Sequence, residues 1–156
     1  MSMGIPYRRG YLLHGPPGTG KTSLLLAVAG ALKMNICYVN LSGEHLDDDD
    51  LNRALNQVPE NSVILIEDVD AVFRQREALT VGKRRRGRYV SFSGLLNALD
   101  GVRSQEGRIV VMSTNHKDRL DPALIRPGRC DVHVQLRNAN FSLTKQLFLK
   151  FYPSQS

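Results

Sequence analysis

The chain has 156 residues, of which 42% are hydrophobic and 23% are charged, and its formal net charge is +6. These proportions are typical of a single globular domain and exclude a disordered or fibrous chain. We expect no membrane-spanning segment, because the longest apolar run, residues 24 to 32, is about half the length of a span. Cys37 and Cys130 lie singly in apolar stretches, which predicts buried reduced thiols rather than a disulfide or a zinc site.

Much of the positive charge lies between Lys83 and Arg88, where five of six residues are basic. This segment has almost no apolar pattern and is typical of a solvated loop. A contact with another protein or subunit is the first alternative, and nucleic acid or lipid head groups are the second.

The first half of the chain alternates between predicted strands and helices. Residues 11–13 predict a strand, apolar residues at helical spacing predict a helix from Ser23 to Leu32, and residues 36–40 predict a second strand. The aspartates at 47–50 lack the ligand spacing of a calcium loop and precede a helical pattern, so we interpret them as a helix cap and first turn.

The second half continues the same alternation. Its predicted elements are a buried strand at Val63–Ile66, a helix at Phe92–Leu99 that stops at Asp100-Gly101, a strand at Arg108–Ser113, a short helix at Pro122–Ile125, a strand at Val132–Leu136 and an amphipathic helix capped by Ser142.

Five apolar strands alternating with helices predict an α/β fold, a three-layer sandwich with a five-stranded, mainly parallel sheet. Ligands of such sheets bind at the carboxyl edge of the strands. We predict a large nucleotide-binding α/β subdomain over residues 1–141. The last helix has little to pack against, so residues 142–156 are interpreted as the start of a helical subdomain that is truncated or minimal here.

A phosphate-binding loop is the most specific motif. Glycines between a strand and a helix allow the backbone to approach a phosphate closely, and the helix N-terminus adds partial positive charge. Lys21 is expected to reach the β- and γ-phosphates of ATP, and the Thr22 hydroxyl to bind Mg²⁺. The predicted cofactor-binding residues are Gly15, Pro16, Pro17, Gly18, Thr19, Gly20, Lys21, Thr22 and Ser23.

Polar residues follow two further strands at the same predicted edge. Glu67 and Asp68 come after a buried strand, where one carboxylate can hold Mg²⁺ through water while the other orients the attacking water. Asn115 follows the next strand, where its side chain can bond both the γ-phosphate and that water. We therefore predict an ATPase site.

Taken together, four motifs resemble an AAA ATPase: Gly15–Thr22, the acidic pair with Val69-Asp70, Ser113–Asn115 and Leu120–Arg129. Three further stretches resemble the mitochondrial inner-membrane AAA chaperones that insert the Rieske iron–sulfur protein into the cytochrome bc complex. They are Gly4–Leu13, Ser93–Gly101 and Phe148–Pro153.

The resemblance implies ATP hydrolysis with Mg²⁺ held by Thr22 and Glu67, and an arginine finger at Arg129 together with Arg126. It also implies a homo-heptameric ring with its ATPase domains in the mitochondrial matrix and a folded Rieske protein as client. Contact with the membrane would come only through segments outside this chain. Nucleic acid is not an expected partner.

Two departures from the wider family pattern stand out. Most AAA proteins have Asp-Glu where this chain has Glu67-Asp68, and neighbouring strand residues point to opposite faces, so the identity of the base stays open. The loop at 41–46 lacks the aromatic residue with which AAA unfoldases grip an extended chain, which agrees with a folded client.

Two other functions are compatible with these motifs. A nucleic-acid motor or clamp loader would show ATP turnover that DNA or RNA raises steeply at low salt. A nucleotide-gated scaffold would bind ATP but release almost no phosphate.

Overall fold

The structure is a computed structural model that describes residues 10–41, 46–73, 88–103 and 107–153. The basic segment up to residue 87 and the predicted loop at 42–45 therefore lie outside the described residues. Among the helices described, none is long and apolar enough to cross a membrane.

In the described ranges, five strands alternate with α-helices, four of which have defined bounds. The strands are β1 (Gly10–His14), β2 (Asn35–Asn40), β3 (Ser62–Glu67), β4 (Arg108–Thr114) and β5 (Val132–Gln135). The helices are α1 (Lys21–Leu32), α2 (Asp48–Asn56), α3 (Phe92–Arg103) and α4 (Phe141–Phe151), with a short 3-10 helix at Lys117–Arg119.

The strands form one parallel sheet in the order β2-β3-β4-β1-β5. The predicted five-stranded α/β sandwich is thus confirmed. The phosphate-binding loop follows β1, the acidic pair follows β3 and Asn115 follows β4, so the order places all three at one carboxyl edge.

Side-chain alternation in β3 assigns its residues to two cores. Ile64 and Ile66 belong to the core beneath α2 and α3, while Val63 and Leu65 pack on the other face against α1. Glu67 lies two residues beyond Leu65 and shares its face. The α1 face of the sheet therefore carries the first of the two acids.

The acidic run before α2 is a helix cap, as predicted. The Asp47 side chain accepts a hydrogen bond of 2.9 Å from the backbone N–H of Asp50, and the next three aspartates occupy the first turn. Asp48 also accepts hydrogen bonds from the backbone N–H and the hydroxyl of Ser91, each 2.6 Å long, and so ties α2 to the start of α3. Both cysteines are reduced thiols outside any disulfide, with Cys130 buried and Cys37 half-buried.

Three predictions about the helices are wrong: one end, one whole short helix and one cap. Helix α3 continues through Asp100-Gly101 to Arg103, because burying Val102 in line with Leu95 and Leu99 outweighs the roughly 1 kcal/mol that glycine costs in a helix. The predicted helix at 122–125 is a hydrogen-bonded turn at 122–124 followed by a bend at Ile125. Helix α4 is capped by Asn140, whose side chain accepts from the Leu143 N–H at 2.9 Å, and not by Ser142.

Helix α4 projects its apolar side chains into solvent. All of its residues are exposed, and Phe141 and Phe151 retain 85% and 74% of their accessible surface. This agrees with the expectation that the last element has little to pack against. The division into two subdomains at residue 142 stays a prediction.

Candidate nucleotide-binding site

The loop between β1 and α1 adopts a backbone path that requires glycine. Gly18 and Gly20 have φ of 76° and 88°, in the left-handed region that side chains disfavour. At Gly15 a Cβ atom would lie 2.0 Å from the Leu136 carbonyl oxygen at the end of β5. The glycines therefore fit both the turn and its close approach to the neighbouring strand.

Helix α1 begins at Lys21, directly behind this loop, and its N-cap is Gly20, which has no side chain to bond the first-turn amides. Such amides and the helix dipole are suited to bind a phosphate. The Thr19 hydroxyl donates to the Pro16 carbonyl at 2.8 Å and steadies the loop. Ser23 lies exposed on the first turn of α1.

The Lys21 ammonium group links the loop to β4. It donates to the carbonyl oxygens of Gly15 and Pro16 at 2.8 and 2.9 Å, and to Oδ1 of Asn115 at 2.7 Å. Desolvation lowers the pKa of Lys21, against the opposing charges of Asp68 and Glu67, which raise it. The predicted lysine, amide and both acids thus share one site.

Glu67 is held by two hydroxyl groups. The Thr22 hydroxyl donates to its Oε1, and the Tyr38 hydroxyl donates to its Oε2 at 2.7 Å. The hydrogen bond from Tyr38 to Glu67, with a contribution from desolvation, raises the pKa of Tyr38 to about 12. Sequence reasoning missed Tyr38, since only the pairing of β2 with β3 brings it to Glu67.

Asp68 lies outside β3, in a left-handed conformation with φ of 50°. Its carbonyl oxygen accepts from the Ala71 N–H at 2.7 Å, so the backbone turns here. The expectation that strand alternation orients both acids therefore holds for Glu67 and is wrong for Asp68, whose direction is set by the turn. Aspartate is among the few residues that tolerate this conformation.

The loop carrying Asn115 is supported by a buried carboxylate. Asp70 is 2% exposed and accepts a hydrogen bond of 2.8 Å from the Thr114 hydroxyl, which itself accepts one of 2.9 Å from the His116 N–H. These bonds fix the backbone on both sides of Asn115. The sequence offered only the proximity of Asp70 to the acidic pair as a signal.

The side chains around Thr22 suit Mg²⁺, which takes few ligands from protein, better than they suit a metal ion that takes all its ligands from protein. Within the described parts of the chain, no group of three or more His, Cys, Asp and Glu residues could hold a metal. The Thr22 hydroxyl donates a hydrogen bond to Glu67 and keeps oxygen lone pairs for a cation. A hydroxyl and a carboxylate are the hard oxygen donors of Mg²⁺, which takes its other ligands from water and substrate phosphates.

The two predicted finger arginines lie away from this loop, at the amino end of β1. Gly10 and Asp131 exchange two hydrogen bonds there: the Asp131 N–H donates to the Gly10 carbonyl at 2.9 Å, and the Gly10 N–H donates to the Asp131 carboxylate at 3.3 Å. A Cβ atom on Gly10 would lie 1.8 Å from the Arg129 carbonyl oxygen. The phosphate-binding loop follows the other end of the same strand.

Arg126 and Arg129 differ in their surroundings. The Arg126 side chain is exposed. Arg129 is buried and donates to both carboxylate oxygens of Asp100, at 2.9 and 2.7 Å, and to the Ala123 carbonyl at 3.0 Å. The hydrogen bond to Asp100 raises the pKa of Arg129. These three hydrogen bonds hold the Arg129 guanidinium within its own chain.

We expect Asp100→Asn to destabilise the chain by about 1–3 kcal/mol, because it leaves a buried guanidinium without its bidentate partner. This corresponds to a decrease of roughly 3–10 °C in melting temperature. Asp118→Asn, at an exposed position of the 3-10 helix, is the matched control. Equal melting temperatures for the two variants would show that the Arg129–Asp100 pair contributes nothing.

A parallel sheet with a glycine-rich loop, a lysine, a helix N-terminus and paired acids at its carboxyl edge defines a P-loop nucleoside triphosphatase. The model of the "ATPase family associated with various cellular activities (AAA)" matches residues 11–138. The chain therefore belongs to the AAA family.

Several curated relatives are similar over nearly the whole chain. Identity is 54% to the probable mitochondrial chaperone bcs1 of Schizosaccharomyces pombe, over 96% of this chain and 33% of that protein. It is 53% to the human mitochondrial chaperone BCS1, over 98% of this chain and 37% of that protein. It is 51% to the probable mitochondrial chaperone BCS1-A of Dictyostelium discoideum, over 96% and 36%. The chain thus spans about a third of the length of these relatives.

Proposed function

We propose that this chain is the ATP-hydrolysing domain of a ring-forming mitochondrial chaperone. The observation that carries the proposal is the convergence of Lys21, Asn115, Thr22 and Glu67, which come from three separate segments and are joined by hydrogen bonds at one sheet edge. Lysine, amide, hydroxyl and carboxylate at the end of a phosphate-binding loop suit phosphoanhydride hydrolysis.

Each residue has a distinct task in this proposal. Lys21 and the first amides of α1 bind the β- and γ-phosphates. The phosphates then replace the loop carbonyls and Asn115 as hydrogen-bond partners of the Lys21 ammonium group. Thr22 and Glu67 would hold Mg²⁺, Glu67 through water, and a bound ion would supply positive charge to the phosphates. Asp68 accepts a proton from the attacking water, and Asn115 orients that water against the γ-phosphate.

The arginines act on the nucleotide of a neighbouring subunit. They lie at the amino end of β1, about 15 Å of strand away from their own phosphate-binding loop, given roughly 3.3 Å per residue. A fixed cation stabilises charge that develops on the transferred phosphoryl group. The exposed Arg126 is the first to reach a neighbour, and Arg129 joins it when it leaves Asp100.

The cellular role is inferred from relatives. The mitochondrial chaperones named BCS1 of Schizosaccharomyces pombe and Homo sapiens are more than 50% identical to this chain over nearly its whole length, which supports a mitochondrial chaperone. The motif resemblance implies a heptameric ring in the inner membrane, ATPase domains on the matrix side and a folded Rieske protein as client. Arg88, the described residue of the basic segment, pairs with Asp47 at 3.2 Å, so its positive charge has a partner within the chain.

A comparison of the chain alone with the chain held in a ring by fusion to an oligomeric scaffold tests this function. Arg126→Ala should lower turnover in the ring about 10³-fold or more, the usual contribution of an arginine finger, and leave ATP affinity unchanged. The chain alone should hydrolyse ATP slowly with or without this substitution. Arg119→Ala, also exposed, serves as control.

Full turnover by the chain alone, lost on Arg126→Ala, would refute an arginine acting between subunits. ATP binding without phosphate release in the ring would favour the scaffold. Turnover that rises with added DNA or RNA at low salt and falls as salt increases would favour a nucleic-acid motor.

A further inference from the structure

Tyr38 contacts the acidic pair from the edge strand. In the β2–β3 ladder Tyr38 lies opposite Leu65, and Glu67 lies two residues further along β3 on the same face. Such diagonal neighbours are about 7–8 Å apart at their Cα atoms, within reach of a long aromatic side chain. The phenol spans this gap and donates to Oε2 of Glu67 at 2.7 Å.

Glu67 is consequently held from two directions. Its Oε1 accepts from Thr22 at the start of α1, and its Oε2 accepts from Tyr38 on β2. A half-exposed glutamate otherwise samples several rotamers. Fixing it in one rotamer costs conformational entropy, which would weaken nucleotide binding if it were lost only on binding. Because two donors on separate elements already fix the Glu67 side chain, this entropy is lost on folding rather than on ligand binding.

The Tyr38 ring has little other function in packing. Tyr38 lies on the edge strand of the sheet and retains 53% of its accessible surface, whereas the next residue, Val39, faces the other side and is buried in the core. Removal of the hydroxyl alone therefore leaves the core intact. Its hydroxyl hydrogen-bonds to the Glu67 carboxylate, and this is the contact that the substitution removes.

We propose that Tyr38 is a positioning residue that holds the Glu67 carboxylate in the orientation needed to accept hydrogen bonds from the water ligands of Mg²⁺ in Mg²⁺–ATP. This inference rests on the proposed function, in which Glu67 serves the metal. Tyr38 does not touch the nucleotide in this proposal, and it acts only through Glu67. The expected consequence is a gain in nucleotide affinity that depends on Mg²⁺ and on this hydroxyl.

Equilibrium binding of a non-hydrolysable ATP analogue, measured by calorimetry with Mg²⁺ and with EDTA, tests the proposal. The ratio of Kd in EDTA to Kd in Mg²⁺ gives the magnesium-dependent gain. Tyr38→Phe should lower this ratio about three- to tenfold, as expected for one hydrogen bond to a charged acceptor at a half-exposed site. Affinity in EDTA should stay the same. Tyr152→Phe, at the residue that follows α4, removes a hydroxyl that takes no part in the hydrogen bonds described for the site, and it should change neither value.

A double-mutant cycle separates positioning from a general structural effect. Glu67→Gln should remove most of the gain, and adding Tyr38→Phe to it should have no further effect, because the hydroxyl acts through the carboxylate. Equal weakening with Mg²⁺ and with EDTA, or additive effects of the two substitutions, would overturn the role of Tyr38. The role of Tyr38 would also be overturned if Glu67→Gln removed the magnesium-dependent gain and Tyr38→Phe left it unchanged. If Glu67→Gln leaves the gain intact, the metal assignment of the proposed function fails first, and the role of Tyr38 falls with it.

Discussion

Lys21→Ala is expected to abolish ATP binding, weakening affinity by at least about 10²-fold, while the fold stays intact. The ammonium group belongs to the loop itself, and charge-assisted hydrogen bonds to phosphate are among the strongest that proteins make. In the described structure this group bonds to two loop carbonyls and to Asn115. These contacts lie at the surface edge of the sheet, so their loss should lower the melting temperature by only a few degrees.

Titration with ATP beside a thermal melt measures both parts of this prediction. Lys145→Ala, at an exposed position of α4, removes one positive charge outside the loop and controls for net charge. Unchanged ATP affinity in Lys21→Ala would refute the phosphate-binding assignment. A collapse of the melting temperature would show instead that the lysine is needed for the fold of the loop.

Asp68→Asn is expected to lower turnover in the assembled ring by about 10²–10⁴-fold while ATP stays bound. The amide keeps the size of the carboxylate but cannot accept the proton of the attacking water. Asparagine also tolerates the left-handed conformation observed at Asp68, with φ of 50°, so the turn should survive the substitution. This makes asparagine a sharper test than alanine.

Glu67→Gln is the matched variant on the neighbouring acid. It should weaken binding only in the presence of Mg²⁺, because a charged acceptor for the metal's water ligands is lost. The hydrogen bond from Thr22 to Glu67 supports this division of tasks, since it places the first acid beside the hydroxyl expected to bind the ion. If Glu67→Gln is the variant that retains ATP without hydrolysing it, the two assignments are reversed.

The structure changes the physical basis of that division. From the sequence, alternation along a strand was expected to separate the two acids onto opposite faces. In the structure, alternation places Glu67 on the α1 face, but β3 ends there and Asp68 belongs to a turn whose carbonyl accepts from Ala71. The order Glu-Asp thus combines one acid on a strand with one on a turn. A shorter acid at the turn position is directed by backbone conformation rather than by the pleat.

The phosphate-binding loop and the alternation of elements could be predicted from the sequence because their determinants are local. Gly18, Gly20 and Lys21 lie within four positions, and their backbone angles and helix start depend on neighbouring residues. The apolar strands could be predicted for the same reason, since a buried strand carries its own run of apolar residues. Boundaries were less certain where packing competes with propensity, as at Gly101 inside α3.

The tertiary structure alone decided which distant residues meet. Tyr38 reaches Glu67 only because β2 pairs with β3 in one register, and a shift by one residue would turn the phenol to the other face. Arg129 pairs with Asp100, 29 positions earlier, only because the turn after Ala123 packs near α3. No pattern in the sequence encodes such pairs, because each depends on strand order, register and helix placement that the whole core fixes together.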